Sequence, residues 1–262
     1  MAGIGLPRGV ARSFHMPTRI CLLVSLLIAP LVTAGAETLH LESPGPRVSL
    51  LELYTSEGCS SCPPADRWIA KLRDDPRLWR EVVPVAFHVD YWDYIGWRDR
   101  FASPVYANRQ RDYARSRHVS TVYTPGFVLA GKEWRSWFRR PDLKVSNGVE
   151  IGKLRLSVDG QQAKIAFTPS VSESGELEVH VAMLGFDLET EVRSGENGGR
   201  TLEHDFVVLG YRSLAMTRRE STHTAAFSLP QVKVPSERKA IAAWVSLPGD
   251  PRPVQVVGGW LN

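Results

Sequence analysis

Val48-Ser-Leu-Leu-Glu-Leu-Tyr54 is an apolar run of strand length, and Thr55-Ser-Glu-Gly58 turns it into Cys59-Ser-Ser-Cys62-Pro63-Pro64. Beyond the prolines, Ala65, Ile69 and Leu72 recur at helical spacing, with Trp68 beside them. Proline suits the first turn of a helix, because its missing N–H would be unsatisfied there anyway. The two cysteines therefore stand at a strand-to-helix junction, and the reading puts Cys59 at the helix N-terminus. Unpaired N–H groups and the helix dipole favour a thiolate at such a place.

Elements of the same kind follow. Val82–Val89 reads as a second strand, with Pro84 near its beginning or at a bulge. Ser103 and Pro104 are an N-cap and a first helical residue, followed by Tyr106, Gln110, Tyr113 and Ala114. The stretch from Val122 to Glu133 reads as a strand, a Gly131-Lys132 turn and a return strand. Strand, CxxC helix, strand, helix, X-Pro strand and hairpin is the order of a thioredoxin-like domain. In that order Thr124-Pro125 falls where a cis-proline faces the disulfide.

From about Val149 the pattern changes to short alternating segments: Lys153–Val158, Lys164–Phe167, Leu177–Leu184, Leu188–Val192, Leu202–Leu209, Ala225–Leu229, Ile241–Leu247 and Val254–Val257. Asp159-Gly160 and Gly195-Glu-Asn-Gly-Gly199 are turn signals between them. This spacing predicts an antiparallel β-sandwich. The expected fold class is an α/β thioredoxin-like domain followed by a mostly-β, sandwich-like C-terminal domain. The expected boundaries are a signal peptide over 1–36, the first domain over 37–145 and the second over 146–262.

The signal peptide rests on Arg8, Arg12 and Arg19, the uncharged run Ile20 to Ala36, and Ala34-Gly35-Ala36 as a small-x-small cleavage site. Met16 is a second candidate start. The run has Pro30 inside it and is short for a bilayer span. Removing 1–36 takes three of 32 Lys+Arg and none of 28 Asp+Glu, so 29 basic residues face 28 acidic ones. Near-neutral charge gives no electrostatic case for nucleic acid. An exported product, periplasmic or secreted, without a membrane span after cleavage is expected. Of three cysteines, Cys21 leaves with the signal, and only Cys59 and Cys62 remain. A bridge closing so small a loop constrains the unfolded chain little, so its value is chemical.

Three blocks, LELYTSEGCSSCPPAD, FHVDYWDYIGWRDRFASPVYANRQRDYA and VYTPGFVLAG, resemble an uncharacterised family of exported bacterial thioredoxin-like proteins. The resemblance implies the fold and the exported location and names no substrate. Thioredoxin-like chemistry carried onto matching positions makes Cys59 the nucleophile and Cys62 the resolving cysteine. Pro125, after Thr124, would hold a substrate backbone near the sulfurs. Glu52 is the nearest match to the acid such proteins bury before the motif, but it stands one residue further away, and one residue reverses the face of a strand. His88 and Asp90 alternate on one strand face, followed by Tyr91, Trp92, Tyr94 and Trp97. These residues read either as an aromatic wall with His88 tuning Cys59 or as core. The two thiolates with His88 would suit copper(I). Arg109, Arg111, Arg115 and Arg117 read as a solvated helix face.

The sequence thus points to a thiol–disulfide oxidoreductase needing no cofactor beyond its own disulfide. Its partners would be protein, peptide or small thiols and disulfides, and a redox partner. The alternatives are a copper(I) chaperone and a non-catalytic partner-binding protein with a local disulfide.

Overall fold

Over Gly152–Asp159, Gln162–Pro169 and Leu188–Val192, side chains alternate between a core and solvent, and this period decides those strands. The structure is a computed structural model and describes residues 1–5, 9–10, 13, 38–139, 142–145, 148–171 and 175–261. Strand β6 (Gly152–Asp159) alternates buried and exposed residues with period two, as does β7 (Gln162–Pro169) for most of its length. They pair as an antiparallel hairpin. With β1 (Leu39–Glu42), β12 (Thr217–Arg219) and β13 (Thr222–Ser228) they form a five-stranded sheet in the order β1-β6-β7-β13-β12.

The remaining strands are β2 (Ser49–Thr55), β3 (Val82–His88), β4 (Gly126–Leu129), β5 (Lys132–Glu133), β8 (Glu178–Gly185), β9 (Leu188–Val192), β10 (Arg200–His204), β11 (Val207–Ala215), β14 (Lys239–Ser246) and β15 (Gln255–Leu261). All but β9 and β10, which pair with each other, join one mixed sheet in the order β15-β14-β8-β11-β3-β2-β4-β5. Strands β2 and β3 are parallel, and helix α1 (Pro63–Ala70) lies between them in the chain. Helix α2 (Pro104–Arg115) follows β3 and starts after Ser103, as the sequence predicts, although the Ser103 side chain makes no capping hydrogen bond.

Two cores flank the large sheet. Val179, Val181, Met183, Ile241, Ala243 and Val245 pack with Leu154, Leu156, Ile165 and Phe167 of the five-stranded sheet. The alternate residues Ala182, Leu184, Ala240, Ala242 and Trp244 join Leu50, Val83, Phe87, Tyr106 and Tyr113. Strands β8 and β14 are therefore covered on both faces, which is why their sequences read as nearly continuous apolar runs.

The architecture corrects the expected fold class of an α/β thioredoxin-like domain followed by a mostly-β domain. Strands make up 42% of the structure and helices 15%, and large sheets dominate it. The strand–helix–strand segment is no self-contained layer. Strand β3 pairs on its outer edge, in parallel, with β11 at Ala86 and Val207, and β11 passes the sheet on to β8, β14 and β15. Such pairing across more than a hundred residues leaves no local pattern to read.

The chain divides into Met1–Gly35 and Ala36–Asn262. The expected signal peptide, with Cys21 and Met16, lies outside the described residues except for 1–5, 9–10 and 13, of which 1–5 are exposed. Among the described residues no helix is long and apolar enough to cross a membrane.

Candidate functional site

Strand β2 is buried along its whole length and delivers the chain to the turn Ser56-Glu57-Gly58. A Cβ on Gly58 would stand 3.0 Å from Trp92 Cβ, so glycine lets the turn lie close against Trp92, and a larger residue would push the two apart by a few tenths of an ångström. Cys59 N donates to Ser56 O at 3.1 Å, and Cys62 N to Cys59 O at 3.1 Å. Cys59 and Cys62 form a disulfide, with their Cα atoms 5.4 Å apart. Helix α1 begins at Pro63 with Cys62 as its N-cap, so Cys59 stands ahead of the helix and Cys62 takes the place at its end. The residues differ little in exposure, 1% for Cys59 and none for Cys62, while Ser60 and Ser61 are exposed. Ser61 Oγ lies 3.3 Å from Cys59 Sγ.

Ser61 also lines an open cleft of about 700 Å³ with Tyr123, Thr124, Pro125, Trp137 and Phe138. The Thr124-Pro125 bond is cis. Trp92 Nε1 donates to Thr124 Oγ1 at 2.7 Å, tying the half-buried indole to this edge. Opposite constraints come from the loop between β9 and β10. Buried Asn197 donates through Nδ2 to Glu57 O at 2.8 Å and Cys59 O at 3.0 Å, and Glu196 Oε2 accepts from Ser60 N at 3.0 Å. The loop straps the cysteine turn from a segment 138 residues further along the chain.

A buried charged cluster adjoins the turn. It contains Glu57, Asp66, His88, Asp99 and His204, none more than 5% exposed. His88 Nδ1 lies 2.7 Å from Asp99 Oδ2, which also accepts from Glu57 N at 2.9 Å. Glu57 Oε2 accepts from Trp97 Nε1 at 2.8 Å, and Glu57 Oε1 is 3.4 Å from His204 Nε2. The His88 and His204 rings stand edge to face at 4.9 Å. Burial alone would push His88 toward the neutral form. Asp99, with Asp66 and Glu57, outweighs it and raises the imidazole to about 9. Burial likewise raises the Asp66 carboxyl, against the pull of His204 and His88. Asp99 moves the other way: burial would raise it, but His88 and the Glu57 and Phe101 amides hold it low.

His88 and Asp90 do not share a strand face, because β3 ends at His88 and Asp90 already begins a 3-10 turn, Asp90–Ile95; His88 Nδ1 lies against Asp99. Glu52 is fully buried, and its carboxylate is saturated by Arg109 Nε at 2.7 Å, Arg109 Nη2 at 3.0 Å, Tyr54 Oη at 2.8 Å and Tyr113 Oη at 2.5 Å. Arg109 is thus a core residue, not part of a solvated face. Asp66 is marked in the sequence by its spacing: it is four residues after Cys62, and its N–H donates to Cys62 O at 3.1 Å. Residues at that spacing share a helix face. Asn197 and His204 carry no local signal, being brought in by β9 and β10. Among the described residues no group of three or more His, Cys, Asp or Glu is arranged to hold a metal ion.

Two solved structures resemble this one. Protein AGR_C_4864 from Agrobacterium tumefaciens is 24% identical, with a TM-score of 0.57 over 82% of this chain and 94% of its own. HBP35 of Porphyromonas gingivalis is 11% identical, with a TM-score of 0.55 over 84% and 76%. At these identities the likeness is one of fold. No curated protein matches significantly. The profile of the family described as "Protein of unknown function (DUF1223)" matches residues 50–246, three quarters of the chain, and the protein belongs to that family.

Proposed function

We propose that the protein is a thiol–disulfide oxidoreductase acting through Cys59 and Cys62. The observation that carries this reading is the disulfide itself, held in a turn beside an open cleft and touched by Ser61, which lines that cleft. In the oxidising direction a substrate thiolate attacks Cys59 Sγ. The Cys59–Cys62 bond breaks, and Cys62 leaves as a thiolate that the end of α1 stabilises. Asp66, on the same helix face, gives it a proton. A second substrate thiolate then attacks the substrate sulfur of the mixed disulfide, and Cys59 leaves as a thiolate and takes up a proton. Two substrate thiols become a disulfide as the protein disulfide becomes two thiols, and the reverse sequence reduces a substrate. Thr124 and Pro125 bound the cleft where the substrate backbone would lie.

The basic, apolar leader over 1–36 supports an exported site of action, where such a disulfide persists.

The test uses reduced full-length protein with Cys62→Ser and with Cys59→Ser. Cys62→Ser is expected to accumulate mixed disulfides with substrate proteins, because attack remains and resolution is lost, whereas Cys59→Ser accumulates few. If neither variant traps a partner and the wild-type disulfide does not exchange with glutathione, the pair is a local staple.

A further inference from the structure

We infer that the cleft beside the disulfide selects extended polypeptide segments that carry an apolar side chain next to a carboxylate. This inference rests on the oxidoreductase reading only in placing the substrate cysteine at Cys59. Three observations carry it: the apolar wall, the unpaired cation and the contact between the lining and the sulfur.

The wall is built by the 3-10 turn Arg135–Phe138. Trp137 is half-buried and anchored on Phe127 at a ring separation of 5.1 Å. Phe138 stands against Trp137 at 5.9 Å and is 62% exposed, a large apolar surface at the mouth of a cleft. An exposed aromatic of this kind marks a binding surface when it borders a concave site.

Two arginines line the same cleft, and they are not equivalent. Arg135 Nε is 2.9 Å from Glu133 Oε1, so its charge is answered within the protein. Arg139 lies with its guanidinium 5.4 Å from the centre of the Phe138 ring and has no carboxylate partner among the described residues. Among the described residues no acidic side chain lines the cleft. The net field at its mouth is therefore positive, and the stacked guanidinium keeps its donor edge for a carboxylate. At the other end, Ser61 meets Cys59 Sγ. A chain lying across Pro125 with its apolar residue on Phe138 and its carboxylate on Arg139 would bring a neighbouring cysteine toward Cys59.

The experiment measures fluorescence anisotropy with oxidised full-length protein and labelled ten-residue peptides in which serine replaces the cysteine. The peptides carry Phe and Glu, Phe and Lys, or Gly and Glu beside that serine. The Phe–Glu peptide is expected to bind about fivefold more tightly than Phe–Lys, and the preference should weaken in high salt. Arg139→Glu should reverse the order of those two peptides. Phe138→Ser should weaken both Phe peptides about tenfold and leave the Gly–Glu peptide unchanged. Both side chains are exposed, and circular dichroism verifies the fold of each variant. Equal binding of all three peptides, or an order that Arg139→Glu does not change, overturns the inference. Peptide selection without exchange in glutathione buffers would sink the redox reading alone, and exchange without selection would sink this one alone.

Discussion

At the scale of single residues, the buried titratable groups set the sharpest expectations. His88 binds its proton more tightly folded than unfolded, with its value raised from 6.5 to about 9. Its contribution to stability is complete below pH 6.5 and is lost as pH rises toward 9. Denaturant unfolding midpoints taken from pH 6 to 9.5 should fall across that window, and His88→Gln should flatten the fall. Asp99→Asn removes one partner of a buried pair and should cost about 3 kcal/mol at pH 7. Asp66 behaves oppositely at neutral pH. Its carboxyl is raised by burial, so ionising it costs stability above its ordinary range. Asp66→Asn should therefore leave stability at pH 7 unchanged or higher. The same variant should slow glutathione exchange by about tenfold to a hundredfold and change its pH profile. Slower exchange without lost stability separates a proton carrier from a structural carboxylate.

Elements decide how these residues meet. The strap between β9 and β10 bonds the backbone at Glu57, Cys59 and Ser60 through Asn197 and Glu196. Asn197→Ala removes two donated hydrogen bonds from buried carbonyls and should cost about 1–3 kcal/mol. It should also speed reduction of the disulfide by dithiothreitol, because the turn is no longer held from that side. An unchanged reduction rate would show that the strap does not guard the sulfurs. Helix α2 is tied to β2 by the Glu52–Arg109 pair, which Arg109 extends to Pro251 O at 3.0 Å. Glu52→Gln leaves a buried guanidinium without its counter-charge and should cost about 3–5 kcal/mol by urea unfolding.

For the whole molecule, the shared core matters most. Leu53 and Phe87 of the first half and Leu184 and Trp244 of the second belong to one cluster, and Phe87 and Trp244 are 6.5 Å apart. Residues 36–262 should unfold in a single cooperative transition, with tryptophan fluorescence and far-UV circular dichroism coinciding. A fragment over 37–145 would bare the outer edge of β3 and one face of this core, and should aggregate or remain unfolded when expressed alone. Two separated transitions would instead support the boundaries expected at 145 and 146.

Sequence by itself determined the local features: the strand before the cysteine turn, the CxxC turn followed by a proline-started helix, the helix start after Ser103, the X-Pro step before β4 and the alternating strands β6, β7 and β9. Each depends on neighbours within a few residues, through backbone propensity, capping or period-two patterning. It also supported membership in an uncharacterised family. Only tertiary structure decided the fold class, the partner of His88 and the burial of Arg109 and Glu52. It alone brought Asn197 and His204 to the cysteine turn. Those outcomes depend on which strand edges pair across long stretches of chain. A parallel contact such as Ala86 with Val207 is set by the fit of two distant apolar faces, and that fit leaves no trace in either segment alone.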